Sequence, residues 1–235
     1  MSLDIARMID HALLAPTMTD DQIREGCELA RQLNVATVCV KPYAVPLAAE
    51  VLAGSEVGVG TVIGFPHGSN LPEVKALEAD LACRQGAVEL DMVMNVGKAL
   101  QGDWDYVLND IAAVVAVGQK RGAVTKVILE TDLLTSDDII SKLCEICTAA
   151  GADYVKTSTG FGFTKQASGD YNYVGATEHH VALMKQSVGP GVQVKASGGV
   201  RTYEDAVKMV ACGATRLGTS SSAAIVQGAG DQSGY

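Results

Sequence analysis

The chain predicts an α/β fold, a single-domain TIM (β/α)8 barrel spanning residues 1–235, and three observations predict it. Short β-branched runs alternate with longer helical patterns from end to end, without a linker or low-complexity break. Several helical stretches close on a Gly-Ala turn (Gly86-Ala87, Gly122-Ala123, Gly151-Ala152, Gly213-Ala214) that leads into the next strand, where glycine supplies the left-handed cap. Hydrophobic residues make up 48% but aromatics only 5%, with Gly, Ala and Val abundant, which suits close helix–sheet packing better than a β-sandwich.

The elements follow in order. Strands are expected at 9–13, 35–40, 57–63, 88–93, 124–129, 154–157, 192–196 and 216–218, each a short apolar, largely β-branched run. Helices are expected between them at 20–33, 43–53, 71–85, 104–121, 136–150, 177–187 and 203–211, with a short apolar helix at 223–226. Thr19-Asp20-Asp21-Gln22 and Thr135-Ser136-Asp137-Asp138 carry capping hydroxyls and first-turn carboxylates. The last residues, 228–235, read as a flexible tail.

A net charge of −9 argues against a nucleic-acid partner or an anionic membrane surface, so an anionic ligand needs a local site. No signal-peptide pattern precedes Asp4 and no apolar run reaches membrane-spanning length, so a cytoplasmic, reducing setting is expected. The six cysteines lie in apolar segments. The pair Cys144 and Cys147 has CxxC spacing but falls in a helical pattern without a second pair, so small buried hydrophobes are expected rather than zinc or redox chemistry. His11 and His67 sit at strand ends without metal-ligand spacing, and His179-His180 on a helix, so neither a metal nor another cofactor is expected.

The chemistry concentrates in two lysines. Lys156 ends one apolar run and leads into Thr157-Ser158-Thr159-Gly160; Lys195 ends another and leads into Ala196-Ser197-Gly198-Gly199. Barrel function belongs at the carboxyl ends of strands, and an isolated ammonium resists leaving water. Two ammoniums ~6 Å apart at an effective dielectric near 20 repel by about 3 kcal/mol, which favours a neutral, nucleophilic amine. Alternation puts Glu89 and Asp91 on one face of their strand, and Asp91 is expected closer to Lys195 than to Lys156. Taken singly, either lysine also fits a strand-end residue snorkelling to water, and Asp91 also fits a plain ion-pair partner. A second signal is Ser197-Gly198-Gly199 on one βα loop and Gly218-Thr219-Ser220-Ser221-Ser222 on the next, the usual place for a phosphate site in barrels. A catalytically silent phosphate-sugar-binding barrel and another Schiff-base barrel aldolase, of the transaldolase kind, are the competing readings.

Together these blocks resemble the deoxyribose-phosphate aldolase family of class I aldolases over essentially the full length. They are Ile9-Asp10-His11-Ala12-Leu13-Leu14, Val62-Ile63-Gly64-Phe65-Pro66-His67-Gly68, Glu89-Leu90-Asp91-Met92-Val93, the two lysine blocks (the second running on to Val200-Arg201-Thr202) and Gly218-Thr219-Ser220-Ser221. The resemblance implies reversible, metal-independent cleavage of 2-deoxy-D-ribose 5-phosphate to D-glyceraldehyde 3-phosphate and acetaldehyde. It makes Lys156 the Schiff-base residue, Lys195 the lysine that lowers its pKa, and Asp91 a proton relay acting through water. It places Asp10, Thr159, Gly198, Gly199, Gly218, Ser220 and Ser221 against the substrate, with Gly198, Gly199, Ser220 and Ser221 around its phosphate. It also implies a homodimer, and a C-terminal tyrosine, Tyr235, that exchanges the enamine proton. Two features depart from the family pattern: Phe161 stands where some relatives carry a basic residue, and residues 162–174 are longer and more polar than a short turn. Cys39 is expected to expose its thiol to the pocket.

Overall fold

In the computed structural model, which describes residues 4–134, 136–165 and 168–232 (229–232 as backbone only), eight parallel strands close into a barrel. They are β1 (Ile9–Leu13), β2 (Thr37–Val40), β3 (Gly58–Ile63), β4 (Glu89–Val93), β5 (Val124–Ile128), β6 (Tyr154–Lys156), β9 (Gln193–Ser197) and β10 (Arg216–Thr219). Each pairs with its sequence neighbour in the barrel, and β1 closes the ring on β10. The expected strand positions hold, with ends moved by one or two residues where the last ladder bond falls.

Around this ring run α1 (Asp20–Leu33), α2 (Val45–Val51), α3 (Pro72–Arg84), α5 (Trp104–Arg121), α6 (Asp137–Ala150), α7 (Glu178–Ser187), α8 (Tyr203–Ala211) and α9 (Ser222–Gln232). Thr19 caps α1 with a full capping box to Gln22. Gly122 and Gly151 end α5 and α6 at φ +71° and +79°, the left-handed geometry that glycine adopts without strain. The Ser136 hydroxyl makes no capping bond, which leaves Asp137 and Asp138 to stabilise the first turn of α6; Thr135 lies outside the described residues.

Three pieces were not anticipated. A one-and-a-half-turn helix α4 (Val96–Gln101) follows β4, capped by the Asn95 side chain. A small antiparallel hairpin, β7 (Thr164–Lys165) with β8 (Tyr171–Asn172), occupies the long polar stretch after β6. Helix α9 runs from Ser222 to Gln232, well beyond the short 223–226 helix and into the stretch read as tail.

The strands' outward residues, such as Leu90, Met92, Val127, Val155 and Val194, pack against the helices in one continuous apolar core. That leaves inward positions near the carboxyl ends free to carry charge. Cys27, Cys144 and Cys147 are buried free thiols, as their setting predicts, and burial pushes Cys144 up to about 12. Among the described residues no helix is long and apolar enough to cross a membrane.

Candidate active site

Strand register brings the two lysines together. Lys156 on β6 and Lys195 on β9 are Cα partners, and Asp91 on β4 is the Cα partner of Lys126 on β5. Side chains at these positions point inward, so three lysine amines and the Asp91 carboxylate meet inside the barrel. All four residues are buried.

The amines share one carboxylate but not equally. Lys156 Nζ donates to Asp91 Oδ2 at 2.7 Å. Lys195 Nζ donates to the same oxygen at 2.6 Å and also to Asp10. Asp91 is thus only marginally closer to Lys195, at 2.6 Å, than to Lys156, at 2.7 Å, because one oxygen serves both amines. Lys126 Nζ reaches three carboxylates: Asp10 Oδ2 at 3.0 Å, Glu89 Oε2 at 2.5 Å and Asp91 Oδ1 at 2.9 Å. Arg216 then ties Asp10 Oδ1 at 2.7 Å to both oxygens of Glu89. Thr37 donates to Asp10 Oδ1 at 2.8 Å, so each Asp10 oxygen accepts two donors.

These contacts set the protonation pattern. Burial is the largest influence on Lys156 and lowers its pKa; Asp91 raises it, Lys195 lowers it further, and the net shift is down. Dehydration therefore outranks the neighbouring cation as the cause, the reverse of the order expected from charge repulsion. Burial also acts to lower Lys195 and Lys126, but Asp10 and Asp91, with Glu89 in the case of Lys126, more than offset it and both end raised. Burial acts to raise Asp10 and Asp91, and the surrounding cations overcome it and hold both well below the usual carboxylate range.

Above this cluster opens a cavity of about 670 Å³. Its wall includes Asp10, Lys156, Thr159, Lys195, Gly198, Gly199, Gly218, Ser220 and Ser221, so the residues singled out by sequence converge on one space. Asp91 lies behind the two amines rather than on the wall. Cys39 lines the cavity but is buried, and burial pushes its thiol up to about 11. Tyr235 lies outside the described residues.

The loops of the two lysine strands are braced together. Thr157 Oγ1 donates to Ser197 O at 2.9 Å and accepts from Ser197 N at 3.0 Å, while Ser197 Oγ donates to Ser158 O at 2.6 Å. Gly198 and Gly199 follow at φ +83° and +79°, which turns the backbone sharply beside the cavity. On the adjacent loop, Ser221 precedes the first turn of α9, and the N-terminus of a helix is suited to an anion. His11 Nδ1 lies 2.8 Å from Ser222 Oγ, fixing the start of that helix to β1.

Sequence reasoning missed Lys126, Arg216 and Asp132, and gave Glu130, a polar strand-end residue, no role. Lys126 was detectable: in Val-Thr-Lys-Val-Ile it interrupts an apolar face two residues from Val124 and Ile128. Glu130 adopts φ +57° just past β5, and its buried carboxylate accepts from Thr159 N at 3.0 Å and from the Thr159 hydroxyl. Asp132 accepts from Val174 N at 2.7 Å and Gly175 N at 2.9 Å, anchoring the base of the β7–β8 hairpin, which carries Tyr173 onto the cavity wall. Both bonds run between loops, which local patterns do not reveal.

The family model described as DeoC/LacD family aldolase matches residues 5–228. The chain belongs to the DeoC/LacD aldolase family. This aldolase, a lyase, is 49% identical over 235 residues to the deoxyribose-phosphate aldolase of Geobacillus sp. (strain WCH70), covering 100% of both chains. It is 50% identical over 235 residues to that of Lysinibacillus sphaericus (strain C3-41), again covering 100% of each. Among solved structures, the tetrameric deoxyribose phosphate aldolase from Aeropyrum pernix superposes with a TM-score of 0.85 at 32% identity, covering 95% of this chain and 89% of that one. The family resemblance read from the lysine blocks is thus borne out, and the aldolase carries the expected barrel.

Proposed function

We propose that this aldolase reversibly cleaves 2-deoxy-D-ribose 5-phosphate to D-glyceraldehyde 3-phosphate and acetaldehyde through a Schiff base on Lys156. One observation carries the reading: of three buried amines sharing a carboxylate cluster, Lys126 touches three carboxylates, Lys195 two and Lys156 one. The least-paired amine is the one that sheds its proton, and it lines the cavity.

The reaction starts with neutral Lys156 Nζ attacking the C1 aldehyde; loss of water then gives an iminium. The C3 hydroxyl gives up its proton and the C2–C3 bond breaks, its electron pair moving into the iminium to leave an enamine and glyceraldehyde 3-phosphate. Protonation of the enamine carbon and addition of water release acetaldehyde and restore the amine. Lys195, charged and on the cavity wall, is the cation nearest these steps, and Asp91 behind it passes protons through Lys195 or a water. The chemistry uses no metal or other cofactor. Gly198, Gly199, Gly218, Ser220 and Ser221 take the phosphate at the α9 N-terminus, with Thr159 and Asp10 completing the wall. The setting is cytoplasmic deoxyribose phosphate breakdown.

The working unit is a homodimer in this reading. In support, Leu71, Val74, Leu77 and Leu81 form an exposed apolar stripe along α3, continued by Tyr43. Sedimentation of wild type and Leu77→Glu checks it, the variant being expected to run as monomer.

Incubation with the phosphosugar or acetaldehyde plus borohydride should leave a stable adduct on Lys156, and Lys156→Arg should abolish both adduct and acetaldehyde release. An unmodified chain that still binds the sugar phosphate would mean a binding barrel instead.

A further inference from the structure

One buried cation goes unused by the proposed chemistry. Lys126 lies beneath the cavity, off its wall, and is 1% exposed. Its amine nonetheless contacts every carboxylate of the ion-paired cluster found among the described residues: Asp10, Glu89 and Asp91. This ion-paired cluster thus holds three carboxylates and four bases, Lys126, Lys156, Lys195 and Arg216. Three fixed cations balance three anions, and one base is left over.

The geometry points to Lys126 as a positioning residue: as common counter-ion of Asp10, Glu89 and Asp91, it completes a neutral cluster without Lys156 and so leaves that amine free of its proton. This rests on the reading of Lys156 as the nucleophile. Buried charge is costly unless matched, so a cluster already neutral resists a further positive charge. Lys126 also takes the Oδ1 atom of Asp91, which turns Oδ2 to the two wall lysines. Were Lys126 uncharged, Asp10, Glu89 and Asp91 would outnumber Lys195 and Arg216, and the nearest remaining base able to supply the missing charge is Lys156.

The groups facing Lys156 from the surrounding strands are Asp10 and His11 on β1, Cys39 on β2, Glu89 and Asp91 on β4, Lys126 on β5 with Glu130 just beyond it, Lys195 on β9 and Arg216 on β10. β3 (Gly58–Ile63) contributes no titratable side chain. Of this set, Lys126 and Glu89 form an ion pair that lies off the cavity wall and outside the proposed proton relay, so changing them alters the charge balance without changing the surface that meets substrate.

The test is the pH dependence of acetaldehyde trapping on Lys156 by cyanoborohydride, read by intact mass, with thermal unfolding followed in parallel. Lys126→Met leaves one excess negative charge, and the midpoint of the acid limb should rise by about one pH unit or more. Glu89→Gln leaves one excess positive charge and should lower the midpoint. Combining the two substitutions restores neutrality and should return the midpoint towards wild type. A purely structural role predicts no such reversal of sign. Should Lys126→Met fail to fold, Glu89→Gln and the double variant decide alone: a downward shift in the first and its cancellation in the second support the inference, and unmoved or same-direction midpoints overturn it. A wild-type chain without adduct on Lys156 sinks the aldolase mechanism itself, whereas trapping with midpoints indifferent to Lys126 and Glu89 sinks only this inference.

Discussion

Lys156 and Lys195 are register partners on adjacent strands and donate to the same Asp91 oxygen, yet their proton affinities move in opposite directions. The second carboxylate makes the difference. Lys195 also holds Asp10, whereas Lys156 has only the shared oxygen to offset its burial. One ladder thus presents an amine that holds its proton firmly beside one that releases it more readily, as the proposed acid and nucleophile require.

The pH dependence follows with a definite sign. The Lys156 pKa lies below its unfolded value of 10.5, so the nucleophilic form gains population as pH rises through the lowered value. Activity should climb along an acid limb governed by this amine. Its contribution to folding has the same sense: the unfolded chain binds more protons between the lowered value and 10.5, so the cost of burying Lys156 shrinks as pH rises. Lys126 and Lys195 are raised above 10.5, so their stabilisation is full below that value and lost only as pH climbs beyond it through their folded values. A kcat/KM profile with 2-deoxyribose 5-phosphate that falls with rising pH through the neutral range would contradict this assignment.

Glu130 tests how the pocket wall is held. Its carboxylate supports Thr159 through both backbone and hydroxyl, and Thr159 Oγ1 in turn accepts from Phe161 N at 2.9 Å. Glu130→Ala strands a buried N–H, so unfolding in urea should show a loss of about 1–3 kcal/mol. Since Thr159 lines the cavity, KM should rise more than kcat falls. Unchanged KM would mean that Thr159 keeps its place without Glu130.

Gly175 tests the hairpin's hold on the glycine turn. Its φ is +80°, and a Cβ there would stand 2.5 Å from Gly198 O, a backbone atom that cannot step aside cheaply. Gly175→Ala should cost about 2 kcal/mol or more in stability and push Gly198 off its position. If that turn holds phosphate, KM should worsen for 2-deoxyribose 5-phosphate and stay put for unphosphorylated 2-deoxyribose. Equal losses for both sugars would remove the turn from phosphate recognition.

What was legible from sequence was what repeats or alternates. The β-branched runs, the Gly-Ala turns and the Thr19 capping box each state their structure locally, and the paired lysine blocks announce a shared pocket. Local patterns failed where the fold joins distant segments. Lys126 meets Asp10 across 116 residues and Arg216 meets Asp10 across 206, contacts that only barrel closure creates. The order of causes acting on Lys156 was misjudged for the same reason. Repulsion between two lysines can be guessed from spacing, but complete burial depends on the ring of strands around them. The 162–174 stretch lacked apolar alternation, so its hairpin, tied down by Asp132 from another loop, went unseen.

A second buried ion pair supports the site from outside the barrel. Lys75 on α3 donates to Asp110 Oδ2 on α5 at 2.7 Å and to Val93 O at 2.9 Å, and Asn95 N donates to the same Asp110 oxygen at 3.0 Å. Both ions are wholly buried, and among the described residues Asp110 Oδ1 has no partner. The pair therefore clasps the two ends of the Val93–Asn95 turn, which begins two residues after Asp91. Lys75→Met leaves an uncompensated buried carboxylate and should destabilise by about 3–5 kcal/mol. Replacing both partners, Lys75→Met with Asp110→Leu, should cost less than either single change, because no lone charge remains. Since the turn would still lose its bonds, the double variant should recover stability more fully than kcat/KM. Full recovery of both would show that Asp91 is placed by its strand alone.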